Sequence, residues 1–282
     1  MVKGDNGAKT FVVTGVTSGI GLALARALAH TAERLVIVGR NEPRLRAATE
    51  ATGHEEHKLE IIPILADLGT LEGTQSLAEQ LDQLPRIDVL IHNAGILPAQ
   101  RRLTADGFEE SFATNHLAPF VLNRGLRKRL VASAPSRVVQ VSAGLALGAS
   151  VDLEGDPRGA RFEPVSTYAR TKLWNLLATL DFAAELEGSG VTVNAVHPGV
   201  VRTRLGEGAP GVPGAEARRG WLSPEAGARG PLRLATAPEL AHTTGRFFDQ
   251  LREVTIDLPD DVAKDVVQRT LEALGRSRNF CR

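Results

Sequence analysis

Short apolar segments alternate with longer amphipathic ones along most of this chain. The short segments are apolar on both faces, whereas the longer ones repeat their apolar residues at helical spacing. Strands that are buried on both faces and separated by helices indicate a parallel sheet with helices on each side. With right-handed crossovers, the pattern predicts a single doubly wound α/β domain over residues 1–282 with about seven strands.

The alternation also places the individual elements. The predicted strands are residues 11–15, 35–39, 59–65, 87–93, 137–142, 191–197 and a short apolar piece at 246–248. The predicted helices are residues 19–32, 42–52, 71–84, 108–132, 167–187, 223–236 and 260–274. Pro63 favours an irregular or edge position for the third strand, and Pro119 suggests a break in the fourth helix.

Two segments rich in glycine, proline and charge interrupt the alternation, at residues 148–165 and 206–222. Neither is predicted to link two domains, because the strand and helix pattern resumes after each. Long irregular segments inside a compact domain are usually functional. We therefore interpret 148–165 as an insertion and 206–222, the lid segment, as a flexible cover over a substrate. The alternative is a tolerated surface insertion in each case.

A glycine-rich loop connects the first strand to the first helix, with the sequence Thr14-Gly15-Val16-Thr17-Ser18-Gly19-Ile20-Gly21. Glycines let the backbone turn sharply and approach a pyrophosphate, and the helix N-terminus supplies free N–H groups. The loop predicts a Rossmann-type dinucleotide site that includes Gly15, Thr17, Ser18, Gly19, Ile20 and Gly21. Its spacing, Thr-Gly-x-x-x-Gly-x-Gly, resembles that of the short-chain dehydrogenase/reductase family.

The end of the second strand favours NADP(H) over NAD(H). An NAD site usually places an acid there against the ribose 2′-hydroxyl, but this chain has Gly39 followed by Arg40 and Asn41. A guanidinium can bind a 2′-phosphate through paired hydrogen bonds, and the Ser18 hydroxyl would add another. NAD(H) remains the alternative, in which Arg40 is an ordinary surface arginine.

The resemblance implies further cofactor contacts at three strand ends. In the family, the residues after the third strand contact the adenine, and small residues after the fourth let the cofactor lie across the sheet. A Pro-Gly turn after the sixth strand, with a following threonine, anchors the nicotinamide carboxamide. The matching positions here are Asp67, Leu68, Asn93, Ala94, Gly95, Pro198, Gly199, Val201 and Thr203.

Tyr168 and Lys172 are four residues apart on a predicted helix, which places them on one face. Hydride transfer to a carbonyl leaves an alkoxide that needs a proton, and a phenol can exchange that proton if a nearby ammonium favours the phenolate. We therefore expect the pKa of Tyr168, the single tyrosine of the chain, to lie below its free value. The resemblance implies that both residues also contact the cofactor. The alternative is a core tyrosine beside a surface lysine.

Ser142 and Asn115 complete the predicted catalytic group. Ser142 ends a predicted strand, and because ligands lie at the carboxyl ends of parallel strands, its hydroxyl is expected to hold a substrate carbonyl for Tyr168. Its alternative role is that of a hydroxyl that caps the strand end. The resemblance implies that Asn115, on the long fourth helix, helps to hold a water in a proton relay to the lysine. Its alternative is a solvated helical asparagine.

The resemblance extends from Thr14 to the terminal helix, and its finer texture is similar to the retinol-dehydrogenase-like branch of the family. The chain departs from the common pattern at His92, where many members have asparagine, and at Thr171, where serine is commoner. Ala118-Pro119 also differs from this branch. None of these departures removes a predicted catalytic group.

Charge and composition exclude several classes of protein. The chain has 33 basic and 33 acidic side chains, without the basic excess typical of nucleic-acid binders. No apolar stretch approaches the roughly 20 residues that span a bilayer. Cys281 is the single cysteine, so no intrachain disulfide can form and a cytoplasmic protein is expected. No metal site is expected, because the histidines of His54-Glu55-Glu56-His57 lack zinc-protease spacing. A homo-oligomer is left open.

Together these features predict an NADP(H)-dependent oxidoreductase that interconverts a ketone or aldehyde and an alcohol, with Tyr168 as general acid/base. Apolar Leu145, Ala146 and Leu147 after Ser142, and Trp221 at the end of the lid segment, favour a lipophilic small-molecule substrate. One alternative is a non-catalytic NADP(H)-binding sensor of the same fold. Others are an NAD-dependent alcohol dehydrogenase and a redox-neutral epimerase or dehydratase.

Overall fold

The computed structural model describes residues 9–53, 59–150, 157–256 and 260–275, so His54-Glu55-Glu56-His57, Cys281 and part of the 148–165 insertion lie outside the described residues. Eight strands form one sheet in the order β3-β2-β1-β4-β5-β6-β7-β8. All neighbours are parallel except β7 and β8, which are antiparallel. The strands are β1 Thr10–Thr14, β2 Arg34–Gly39, β3 Glu60–Leu65, β4 Val89–His92, β5 Ser136–Val141, β6 Val191–His197, β7 Phe247–Asp249 and β8 Arg252–Val254.

Helices cover both faces of the sheet, as the doubly wound prediction requires. The α-helices are α1 Gly19–Leu28, α2 Glu42–Thr52, α3 Leu71–Asp82, α4 Glu110–Phe112, α5 Ala118–Gly125, α6 Arg127–Ala132, α7 Pro164–Glu185, α8 Pro224–Thr236 and α9 Asp260–Gly275. A π-helical turn spans Ala113–Leu117, and 3₁₀ turns span Gly144–Gly148 and Pro238–Leu240.

The side chains of β1 show how the two layers share the sheet. Val12 packs on one face with Leu77 of α3 and Leu122 of α5. Its neighbours Phe11 and Val13 belong to the core on the other face, together with residues of α1 and α8. Because successive side chains of a strand point to opposite faces, a strand that is apolar throughout must be covered twice. The direction of winding reverses between β1 and β4, which opens a crevice at their carboxyl ends.

Two sequence predictions about elements need correction, and one is confirmed. The sheet has an eighth strand, β8, which the pattern missed because Arg-Glu-Val is short and largely charged. The fourth predicted helix, 108–132, is divided, but not at Pro119, which lies in the first turn of α5 directly after the π-turn. The break falls at Leu126, between α5 and α6. Pro63 lies in β3 at the edge of the sheet, as predicted.

The terminal helix α9 packs against the helix that carries the predicted catalytic residues. Its Val266 and Leu274 join Trp174 of α7 in one buried apolar cluster. Thr270 of α9 lies 2.7 Å from Nε2 of His116 in the π-turn. Within the described residues, no helix is long and apolar enough to cross a membrane.

Candidate active site

A cleft of about 540 Å³ lies at the carboxyl ends of the parallel strands, where the winding reverses. It brings together most of the residues predicted from sequence. Those in its wall are Gly15, Thr17, Ser18, Gly19, Ile20, Gly21, Arg40, Asn41, Asp67, Leu68, Asn93, Ala94, Gly95, Ser142, Tyr168, Lys172, Pro198 and Thr203. Asn115, Gly199 and Val201 are not in the wall of this cleft.

The glycine loop is held against the end of β4. Gly15 has a φ of +74°, and a Cβ there would lie 2.7 Å from Cα of Ala94, so the position tolerates glycine alone. Asn93 Nδ2 donates to the carbonyls of Thr14 and Gly15, at 2.9 and 3.1 Å. The Thr14 hydroxyl oxygen accepts from the N–H groups of Asn93 and Ala94. These bonds hold the loop against the end of β4, with Gly15, Gly19 and Gly21 in the wall of the cleft.

The end of β2 carries arginines in place of an acid. A Cβ on Gly39 would lie 2.7 Å from the Thr17 methyl, so an acidic side chain there would have to displace Thr17. Asn41 caps α2, its Oδ1 accepting from the Arg44 N–H at 3.1 Å. Arg44, which the sequence analysis missed, lines the cleft beside Arg40. The sequence signal for Arg44 was its position four residues after Arg40, in the first turn of the following helix.

Asp67 shapes the far side of the cleft. Its Oδ1 accepts from the Gly69 N–H at 2.9 Å, and its carbonyl accepts from the Thr70 hydroxyl at 3.2 Å. One carboxylate oxygen therefore holds the turn after β3. Thr114 of the π-turn also lines the cleft, and its buried hydroxyl has no hydrogen-bond partner among the described residues. Sequence reasoning missed Thr114, because nothing local distinguishes it from other helical threonines.

Tyr168 and Lys172 lie on one face of α7 and reach the cleft from below the end of β5. Both are buried, with exposed fractions of 6% and 3%. Lys172 Nζ donates to the Val141 carbonyl at 2.9 Å and lies 5.9 Å from the centroid of the Tyr168 ring. Both groups therefore belong to the site, rather than to a core tyrosine beside a surface lysine.

The expected direction of the Tyr168 pKa is wrong for the protein without a cofactor. Burial raises the pKa of the phenol above its usual value, because the phenolate loses its hydration. The same burial lowers the pKa of Lys172 to about 8, so its ammonium is still largely protonated at neutral pH. Desolvation, which cannot be read from a spacing of four residues, outweighs the attraction of one ammonium at this distance.

Ser142 follows β5 and is buried at the base of the cleft. Its Oγ donates to the main-chain carbonyl of Lys172 at 3.1 Å. Together with the bond from Lys172 Nζ to the adjacent Val141 carbonyl, this contact fastens α7 to the end of β5. The hydroxyl thus lies in the cleft beside the residues that carry the titratable groups.

Asn115 is fully buried, which rules out the alternative of a solvated helical asparagine. Its side chain bonds to the backbone after β4, with Oδ1 accepting from the Ile96 N–H at 2.8 Å and Nδ2 donating to the Ile96 carbonyl at 2.9 Å. Nδ2 also donates to Thr171 Oγ1 at 3.0 Å. Both amide hydrogens are used in these bonds, so the side chain links the loop after β4 to α7.

The turn after β6 divides its predicted residues between the cleft and its support. Pro198 and Thr203 line the cleft. Val201 is buried and forms a bridge with Leu222, in which the Arg202 N–H bonds to the Leu222 carbonyl. Gly199 lies against Leu222 and Gln250. The next residues, Arg204, Leu205, Gly206 and Glu207, form the rim of the cleft.

A doubly wound sheet with a glycine-lined cleft at the reversal of its winding is the architecture of dinucleotide-binding proteins. A model of the short chain dehydrogenase family matches residues 9–210. Human retinol dehydrogenase 13 is 34% identical over 255 residues, which cover 87% of this chain and 77% of that protein. The chain belongs to the short-chain dehydrogenase/reductase family, whose members are oxidoreductases that bind a nicotinamide cofactor.

Solved structures agree with this assignment. An uncharacterized protein from Mycobacterium Paratuberculosis has a TM-score of 0.74 and 28% identity, covering 94% of this chain and 92% of its own. A protein from Beutenbergia cavernae, provisionally described as an NAD(P)-dependent gluconate 5-dehydrogenase, was solved with NADP at low occupancy. It has a TM-score of 0.66 and 26% identity, and covers 86% of this chain and 94% of its own.

Proposed function

We propose that the chain is an NADP(H)-dependent oxidoreductase that interconverts a carbonyl and an alcohol, with Tyr168 as general acid/base. The observation that carries this proposal is the meeting of Tyr168, Lys172 and Ser142 at the floor of one cleft. The bound cofactor would supply or accept the hydride, so that a carbonyl, NADPH and one proton give an alcohol and NADP⁺. The protein's own residues must then bind the substrate oxygen and exchange that proton.

Tyr168 Oη is the proton donor in the direction of reduction. Its raised pKa keeps the phenol protonated at neutral pH, which suits a general acid that gives its proton to a developing alkoxide. Lys172 keeps a positive charge near the ring and favours the phenolate once the proton has left. The Ser142 hydroxyl donates to the substrate oxygen and holds it near Tyr168, after exchanging its present bond to the Lys172 carbonyl.

The cofactor preference rests on the two arginines at the end of β2. Arg40 and Arg44 both line the cleft, and guanidinium groups bind a 2′-phosphate dianion more strongly than a hydroxyl. Thr17 occupies the place where an acid at position 39 would begin. Ser18 adds a hydroxyl, because its side chain does not cap α1. These features support NADP(H) over NAD(H).

The substrate end of the cleft supports a lipophilic small molecule. Leu205 lines the rim and is 37% exposed, and apolar Ile96 and Leu97 also lie in the wall of the cleft. Leu145 and Leu147 after Ser142 are exposed but are not in that wall. Apolar side chains left in water beside a catalytic floor gain stability when an apolar ligand covers them. Relatives named retinol dehydrogenases are consistent with this class of substrate.

A carbonyl panel tests the proposal. The purified protein is mixed with NADPH and a series of aliphatic, aromatic and isoprenoid aldehydes and ketones, and NADPH loss is matched to alcohol formed. We expect equimolar oxidation with at least one lipophilic member, at a rate that falls by at least about 100-fold in Tyr168→Phe. NADPH binding without oxidation by any member would instead favour the cofactor sensor.

A further inference from the structure

Arg218 is a buried cation in the lid segment. It is 5% exposed, whereas the side chain of the next residue, Arg219, is 80% exposed. Its Nε donates to the Pro213 carbonyl at 2.7 Å and its Nη1 donates to the Thr203 carbonyl at 2.9 Å. No carboxylate pairs with Arg218 among the described residues. Because burying a charge is costly unless it is hydrogen-bonded, these contacts indicate a site formed for the guanidinium.

The last residue of the lid segment, Leu222, is joined to the turn after β6: its N–H bonds to the Val200 carbonyl and its carbonyl accepts from the Arg202 N–H. The other backbone bonds of the segment are local. The N–H groups of Glu207, Ala209 and Val212 each bond to a carbonyl three residues earlier. Consecutive turns of this kind, without a strand or helix, do little to hold a segment in one position relative to the rest of the protein. The two bonds from Arg218 reach back five and fifteen residues, and so join the interior of the segment to Pro213 and to Thr203, just before the segment begins. The guanidinium also lies 5.1 Å from the Trp221 ring centroid, which adds a cation–π contact.

The beginning of the segment forms part of the cleft. Leu205, Gly206 and Glu207 line its rim, directly after Thr203, whose carbonyl Arg218 binds. The Thr203 hydroxyl oxygen accepts from the Leu205 N–H at 3.3 Å. A Cβ on Gly206 would lie 3.2 Å from Leu97, in the loop after β4, so the segment already reaches that loop. A hydrogen bond that fixes the Thr203 main chain therefore also restrains this rim.

We propose that Arg218 is a positioning residue that latches the lid segment against Thr203, so that the rim formed by Leu205, Gly206 and Glu207 stays over the substrate end of the cleft. Release of the latch frees the rim while the sheet and the catalytic floor remain intact. The role of the rim in substrate binding rests on the proposed function, whereas the latch itself does not.

Hydrogen exchange tests the latch without any turnover. The first variant is Arg218→Met, which keeps an unbranched side chain but removes the hydrogen-bond donors. The second is Arg218→Lys, which keeps the positive charge but lacks the planar guanidinium that reaches both carbonyls. Arg219→Met is the matched control, because it removes a neighbouring exposed arginine. In Arg218→Met we expect the amides of Glu207, Ala209 and Val212 to exchange at least about tenfold faster, with Arg218→Lys intermediate and Arg219→Met unchanged.

Equal exchange in Arg218→Met and Arg219→Met would overturn the latch. If Arg218→Met fails to fold, Arg218→Lys decides the question: faster exchange than in Arg219→Met supports the latch, and equal exchange contradicts it. With a substrate from the carbonyl panel, KM is expected to rise several-fold while kcat changes less. A wild-type protein without turnover would defeat the proposed function but leave the exchange result standing.

Discussion

The side-chain amide of Asn175 donates a hydrogen bond to the main-chain carbonyl of Asn115 across 2.9 Å. Pro119, four residues after Asn115, has no N–H to offer that carbonyl in the usual helical pattern. Asn175, three residues after Lys172, supplies the donor from α7 instead. The bond joins the π-turn to the helix of Tyr168 and Lys172, next to the hydrogen bond from the Asn115 side chain to Thr171.

Replacing Asn175 by leucine leaves the buried Asn115 carbonyl without this donor. We expect the free energy of unfolding to fall by about 1–3 kcal/mol, as is usual for a buried acceptor that loses its partner. Urea unfolding measures the change. The control is Gln80→Leu, which removes an exposed helical amide and should leave stability almost unchanged. Equal losses in the two variants would show that the bond has no special weight.

Removing the buried ammonium of Lys172 should stabilise the fold. Burial lowers the pKa of Lys172 from 10.5 to about 8, so the folded protein holds this proton less tightly than the unfolded chain does. Below pH 8 both states are protonated, and the folded protein then bears the full cost of the buried charge. Lys172→Met relieves that cost and should raise the free energy of unfolding at pH 7 by up to about 3 kcal/mol, while abolishing activity. The advantage should shrink as pH rises from 8 towards 10.5, where the unfolded chain also loses its proton.

Unfolding of both proteins in urea at several pH values gives this comparison. Lys128→Met, at an exposed lysine on α6, is the control and should show no such pH dependence. A Lys172→Met protein that is less stable than wild type at pH 7 would mean that the bond to the Val141 carbonyl outweighs desolvation.

The phenol of Tyr168 can be titrated without interference, because the chain has a single tyrosine. In the protein without cofactor, burial raises the pKa of this phenol, so ultraviolet absorbance should show no phenolate at or below the free value near 10. The contribution of this phenol to stability should be lost only as pH rises above that value, since the unfolded chain then ionises more readily. Phenolate formed near pH 7 or 8 in the folded, cofactor-free protein would refute this description of the site.

Arg40→Ala and Arg44→Ala should each raise KM for NADPH by about 10- to 100-fold, the loss expected for charge-assisted hydrogen bonds to a phosphate. KM for NADH should change little. The control is Arg46→Ala. Arg46 lies on α2 with Arg44, is 73% exposed, and pairs with Glu42 outside the cleft. A parallel loss with both cofactors, or a preference for NADH in the wild type, would contradict the assignment of NADP(H).

The fold was largely predictable because periodicity reports burial. The bounds of α2 are those predicted, and β1, β2 and β6 differ by no more than one residue at either end. The glycine loop could be placed because its φ angles and close contacts allow few other residues. The division of the 108–132 helix at Leu126 was missed, although Gly125, the last residue of α5, is a local signal for a helix end.

The supporting contacts of the site could not be predicted, because their partners are far apart in the chain. Asn175 and Asn115 are separated by 60 residues, and Arg218 and Thr203 by 15. Arg218 and Arg219 are identical in sequence terms, yet one is buried and the other exposed. The direction of the Tyr168 pKa likewise depends on desolvation, which only the packed structure reveals.

The most direct test of the proposed mechanism compares wild type with Tyr168→Phe in a single turnover of NADPH with a carbonyl that the wild type reduces. NADPH affinity, measured separately by titration, controls for damage to the cleft. We predict that NADPH binds with nearly unchanged affinity and that the rate of its oxidation falls by at least about 100-fold, since the proton donor is lost. An oxidation rate equal to that of the wild type, with normal NADPH binding, would contradict the role of Tyr168.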